Sequence, residues 1–278
     1  MRRNRIRRLP PALGLLKLLV IVAILGFALL PLYNAVIVSL TPYSHMLEPM
    51  LYPKYFHISN FTDTFALLYR QLLNSFLYAI VTVILDLLIA IPAAYVITRF
   101  QFRGRSLILF SLLFTQMLAG IVLMPSVYTI YIKIHLINTV PGLLIMFVSV
   151  NLALTIWLLT GFFSSVPVEV EEASIIDGAG RFQLLYLVAV PMVKPGIAVS
   201  AIFAFINTYN EFVIPLFLMG NAKWHTITLT LNSIMSATTI EWHTLAAGAL
   251  IGMIPPLIAF LFFQKDIIEG AAAGAVKG

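Results

Sequence analysis

Residues 169–196 read EVEEASIIDGAGRFQLLYLVAVPMVKPG. Four carboxylates (Glu169, Glu171, Glu172 and Asp177) and a Gly-Ala-Gly break at 178–180 sit between two long apolar runs. Ionised side chains are costly in hydrocarbon, so this acidic segment surfaces where the chain leaves a membrane between two spans. A segment of that kind suits contact with a soluble partner.

The flanking runs set the class. The 278-residue chain is 61% hydrophobic and only 10% charged, with mean hydropathy +1.00. A water-soluble domain needs more charge to cover its surface. Apolar runs near ~20 residues match a hydrocarbon core of about 30 Å when wound as helix. The short alternating strands of a membrane barrel are absent. The fold class is therefore all-α, a polytopic membrane protein. Six spans are expected, near 15–40, 72–97, 107–131, 141–163, 192–219 and 245–263, with the acidic loop at 164–190 between the fourth and fifth. A basic stretch precedes the first span at 1–14, and an external segment of loops and one short helix fills 41–71. The second to sixth spans form a five-helix core at 72–265, and a tail follows at 266–278.

Charge distribution orients these spans, because Lys and Arg concentrate on the cytoplasmic side. Arg2, Arg3, Arg5, Arg7 and Arg8 precede the first span; Arg99, Arg103 and Arg105 follow the second. Arg181 lies in the acidic loop, and Lys265 and Lys277 follow the sixth span. The other side carries only Lys54, Arg70, Lys133 and Lys223. Both termini and the acidic loop are thus expected in the cytoplasm. The net charge of +6 sits at membrane flanks, facing lipid rather than nucleic acid. With no cysteine in the chain, disulfides, thiolate metal sites and cysteine nucleophiles are excluded.

Within the loop, Pro167 suits a helix start, and the glutamates after it lie at the positive end of the helix dipole. Val168, Glu172, Ile175 and Ala179 share one face, which suits docking on protein. Gly178 and Gly180 permit a sharp turn. A second short helix near 181–189 then leads to Pro191 and the fifth span.

The pattern EEASIIDGAG followed by VPMVKPG resembles the EAA loop of ABC importer permeases, with Ser174 where a second alanine is common. IPAAYVITRFQFRGR at 91–105 resembles that family's second cytoplasmic turn. NTYNEFVIPL at 207–216 resembles a Trp-Asn-Glu-Phe signature with Tyr209 in place of tryptophan. ISNFTDTF, LLNSF and the ending FQKDIIEGAAAGAVKG extend the resemblance to the MalG-like subunit of carbohydrate importers, within the MetI-like type-1 transmembrane class. This resemblance implies a bacterial inner-membrane permease that pairs with a second homologous permease. Its partners would be two ATPases, which hold ATP and magnesium, and a soluble or lipid-anchored binding protein. The chain itself would bind no cofactor; it has no Walker A motif. The coupling residues implied are Glu171, Glu172, Ala173, Ser174, Asp177, Gly178 and Ala179, with Glu172 as anchor and Gly178 setting the angle. Gly274, Lys277 and Gly278 in the tail would touch the ATPase.

For the solute route the candidates are Asn207, Tyr209, Asn210 and Glu211 in the fifth span, with Gln116 and Asn151 weaker. Glu211 reads equally well as an interhelical hydrogen-bonding group, and for Asp86 packing is favoured. Gly248 and Gly252 form a GxxxG pair, which suits close helix packing. Two other solute classes fit an EAA-bearing permease: polyamines and other small solutes. A stand-alone secondary carrier would use Asp86 or Glu211. An intramembrane enzyme lacks its motifs here, as neither HExxH nor GxSxG occurs.

Overall fold

The computed structural model describes residues 11–46, 48, 51–117, 120–237 and 239–275. Among these the regular structure is helical: α1 (Pro11–Leu40), α2 (Ser59–Arg99), α3 (Arg105–Met117), α4 (Gly120–Lys133) and α5 (Val140–Phe163). Then come α6 (Val168–Ile176), α7 (Arg181–Met192), α8 (Lys194–Asn210), α9 (Val213–Leu218), α10 (Ile227–Met235) and α11 (Trp242–Ala275). Four helices, α1, α2, α5 and α11, are each long and apolar enough to cross a membrane. The count reaches six if the bent pairs α3–α4 and α7–α8 are each one span.

Two spans therefore differ from expectation. The third is two helices broken after Met117. The fifth does not run unbroken from 192 to 219: α8 ends at Asn210, and Glu211 has extended backbone (φ −66°, ψ 129°) before α9 begins. Two prolines explain the preceding 80° bend between α7 and α8. Pro191 and Pro195 lack the N–H that would carry one helix through. The chain restarts at Lys194 with Pro195 in its first turn.

The second span is longer than expected. α2 has 41 residues, about 60 Å at ~1.5 Å per residue, well beyond a hydrocarbon core. It takes in residues 59–71, read from sequence as part of the external segment of loops and one short helix, because no proline or glycine interrupts them. α11 likewise runs on to Ala275.

The chain divides into two compact units. One combines residues up to 66 with 234–251. In it Asn60 Nδ2 donates to the carbonyls of Ser39 (2.9 Å) and Thr41 (3.0 Å), fastening the start of α2 to the end of α1. The segment between them has one 3₁₀ turn, Tyr43–His45, and a His45 ring stacked on Tyr55 at 4.5 Å.

The other unit combines 67–233 with 252 onward. It holds two apolar clusters. One gathers Ala94, Tyr95, Leu159, Phe163, Leu184 and Val193. The second gathers Tyr78, Met124, Leu143, Phe147, Ile214 and Leu218. Along α2 and α5, buried polar side chains lie between the clusters. The Thr155 hydroxyl donates to Asp86 Oδ2, and Asn151 Nδ2 donates to Thr208 Oγ1 at 3.1 Å. Asp86, Thr155, Asn151 and Thr208 are all buried. Asp86 thus links α2 to α5 through Thr155.

Candidate functional site

The acidic segment folds as an elbow. Pro167 stands just ahead of α6 with φ −61° and ψ 135°, and Glu169 and Glu171 fall in the first turn. At the far end Gly178 takes φ +88°, where a side chain is strained. Its N–H bonds the Ile175 carbonyl at 3.0 Å, and the Ala179 N–H reaches back to Ser174 at 3.0 Å. This pair is the left-handed helix stop that glycine favours. The Gly180 N–H then donates to Gln183 Oε1 at 2.8 Å, starting α7. Within α7, Leu184–Ala189 is wound as a π turn, a feature frequent at functional sites.

The two adjacent glutamates part company. Glu171 is 4% exposed. Its Oε1 accepts from Arg99 Nε at 2.8 Å and lies 2.7 Å from Arg99 Nη2, while its Oε2 accepts from Tyr95 OH at 2.9 Å. Arg99 Nη2 also donates to the Val166 carbonyl at 3.0 Å. Glu172 is exposed, as are Ala173 and Asp177, with Ser174 and Ala179 half-buried. Glu171 is therefore held inside the chain rather than presented outward with the rest of the coupling set.

The outward face carries two apolar groups that sequence reading passed over, beside Ile175, which it had placed on the docking face. Ile176 is 85% exposed and Phe182 is 81% exposed, on either side of the glycine turn. Ile175 adds to them. These large apolar side chains stand in the open beside the exposed carboxylates Glu172 and Asp177. The signal was an apolar pair, Ile175-Ile176, and Phe182 within a polar segment.

Residues 64–270 match the family described as the binding-protein-dependent transport system inner membrane component. The chain belongs to that family. It is the permease subunit of an ABC importer, a membrane component of a system that also comprises a binding protein. It is similar to the trehalose transport system permease protein SugB of Mycobacterium tuberculosis, 31% identical over 92% of this chain and 94% of that one. It is similar also to the maltodextrin transport system permease protein MdxG of Bacillus subtilis, 30% identical over 74% of each. Among solved structures, a bacterial ABC transporter involved in importing the acidic polysaccharide alginate matches with TM-score 0.81. That match covers 92% of this chain and 96% of the other at 20% identity, a likeness of fold.

The permease's expected solute-route residues do not form one lining. Asn207 and Asn210 are exposed on α8, whereas Tyr209 is 2% exposed and stacked on Phe205 at 5.9 Å. Glu211 Oε1 accepts from the Val213 and Ile214 N–H groups at 2.8 and 3.1 Å, capping α9. Its backbone carbonyl accepts from Thr228 Oγ1 at 2.9 Å. Asn151 is buried against Thr208, and exposed Gln116 donates to the Val150 carbonyl at 3.2 Å. A pocket of about 510 Å³ lined by Phe76, Ile80, Ala201, Phe205, Ile258 and Phe262 is apolar, offering a polyol no hydrogen bond. Gly274 lies in α11, while Lys277 and Gly278 fall outside the described residues.

Proposed function

We propose that this permease imports a carbohydrate and is driven through its acidic elbow by ATPase subunits. The observation that carries the reading is the outward face of the elbow: Glu172, Ile175, Ile176 and Phe182 exposed together around the Gly178 turn. Exposed apolar groups flanked by the carboxylates Glu172 and Asp177 suit a protein cleft that offers a basic group. Glu172 is the anchor, Ala173 and Ser174 allow close approach, and Asp177, Gly178 and Ala179 set the turn. Similarity to permeases named for trehalose and maltodextrin supports the solute class.

The remaining parts follow from this reading. A second homologous permease forms the other half of the pathway. ATP and magnesium bind on two partner ATPases, and a binding protein delivers the solute from the far side. The Lys and Arg bias puts both termini and the elbow in the cytoplasm. The tail, with Gly274, Lys277 and Gly278, approaches the ATPases. For the route itself, Asn207 and Asn210 are the groups free to face a hydrated solute, and Gln116 is a lesser one.

The test uses the absence of native cysteine. Glu169→Cys, exposed on the same helix as the anchor, is introduced in the assembled transporter and treated with a short bifunctional cross-linker in inside-out vesicles. Capture of an ATPase subunit, together with ATP-dependent uptake of labelled di- or oligosaccharide, is the expected result. An elbow that reacts only from the periplasmic side overturns the reading.

A further inference from the structure

α6 is joined to the rest of its unit by chain at both ends, through residues 164–167 to α5 and through the glycine turn to α7. A third attachment is not covalent. Arg99, the last residue of α2, grips Glu171 through Nε and Nη2 and grips the Val166 carbonyl through the same Nη2. One guanidinium thus holds both α6 and the strand of chain entering it. Tyr95, one turn earlier on α2, takes the second carboxylate oxygen, and its ring meets Phe163 at the end of α5 edge-on at 5.7 Å.

We propose that Tyr95, Arg99 and Glu171 form a clasp that transmits displacement of α6 directly to α2, making Glu171 a positioning residue rather than a docking one. This rests on the reading of the elbow as the ATPase-docking element. Without the clasp, force on α6 reaches α2 only indirectly, through the apolar cluster that α5 and α7 share with it. With it, the ends of α2 and α5 and the docking helix move together, so a helix 72 residues away in sequence joins the stroke. The arrangement suits transmission. Two guanidinium nitrogens converge on Oε1 while the Tyr95 hydroxyl holds Oε2, so both oxygens of the carboxylate are engaged and Glu171 cannot turn outward while the clasp holds. An ion pair screened from water stays stiff where an exposed one would yield to salt.

The experiment uses the full transporter in proteoliposomes, carrying Glu169→Cys, an exposed position on α6 outside the coupling set, as docking reporter. Arg99→Ala and Glu171→Ala are each expected to keep the cross-link to the ATPase, lower uptake at least tenfold, and raise ATP hydrolysed per solute moved at least tenfold. The paired exchange Arg99→Glu with Glu171→Arg is expected to bring that ratio back within threefold of the parent. Uptake and ratio within twofold of the parent in Arg99→Ala, with the cross-link intact, overturn the clasp and leave the docking reading standing. Should the alanine variants assemble poorly, Arg99→Lys and Tyr95→Phe decide. Each is expected to raise the ratio at least threefold, and an unchanged ratio in both overturns the clasp. Absence of the cross-link in the Glu169→Cys parent overturns the docking reading first.

Discussion

Gly196 lies directly against the ring of Phe162. A Cβ built on Gly196 would stand 2.3 Å from Phe162 Cγ and 2.5 Å from Cδ2. α8 begins where it does because this glycine lets its backbone meet the end of α5. Gly196→Ala should cost about 1–3 kcal/mol through overpacking, seen as a lower thermal midpoint of the detergent-purified protein. Phe162→Ala in the same chain should recover part of the loss. An unchanged midpoint in Gly196→Ala would show that the ring has room to swing away.

Gly178 sets the elbow's angle through its positive φ. Gly178→Val forces a β-branched residue into the left-handed region, at roughly 1–2 kcal/mol, and Gly178→Pro forbids the angle outright. Both should reduce uptake, with proline abolishing it, while membrane insertion of all spans persists in protease-protection assays. Normal uptake by the proline variant would remove the elbow from the mechanism.

The exposed side chains Ile176 and Phe182 should anchor the docked ATPase. A large apolar side chain central to an interface typically contributes ~2 kcal/mol or more. Phe182→Ser is therefore expected to weaken ATPase retention on the purified permease by about tenfold to a hundredfold. Co-purification at graded protein concentration measures this, and equal retention would place the interface elsewhere.

Asp86 meets Thr155 inside the bundle. If it packs helices, Asp86→Asn should support uptake within about threefold of the parent across pH 6 to 8, since an amide oxygen still accepts the hydroxyl. Asp86→Leu should be poorly assembled, because the buried hydroxyl loses its partner at roughly 1–3 kcal/mol. Abolition of uptake by the asparagine change alone, with assembly intact, would revive an ion-coupled carrier.

His225 gives the fold an acid sensitivity. Burial holds its imidazole below the ordinary value of 6.5, with a hydrogen bond to the Met219 backbone opposing the shift. A base whose folded pKa is lowered binds fewer protons folded than unfolded, so its contribution is complete above about pH 6.5 and declines as pH falls through the lowered value. Thermal midpoints of the purified protein should fall between pH 7.5 and 5.5. His225→Gln should flatten that fall, and an identical slope in the variant would assign the acid sensitivity to other groups.

Much of the architecture was legible in advance. The apolar runs at 15–40, 141–163 and 245–263 correspond to α1, α5 and α11, because a hydrocarbon core asks only for local length and composition. The elbow was legible for the same local reason: Pro167, a run of acids and Gly178 announce helix start and stop within a dozen residues. The break at Glu211 was not, because the carboxylate that caps α9 sits inside a run whose composition reads as one span. Nor was the extension of α2 back to Ser59, where a polar helical stretch looks like a loop.

The sequence by itself determined that this is a membrane-spanning helical chain with one acidic, glycine-hinged elbow. Only the tertiary structure decided that Glu171 turns inward while Glu172 stays exposed. Successive residues on a helix point about 100° apart, so Glu171 and Glu172 cannot share a direction. Which one turns inward depends on where Arg99 and Tyr95 arrive from α2. That arrival is fixed by the packing of α2 against α5, through groups such as Ala94, Leu159 and Phe163, and a one-dimensional pattern does not carry the rotation of one helix about another.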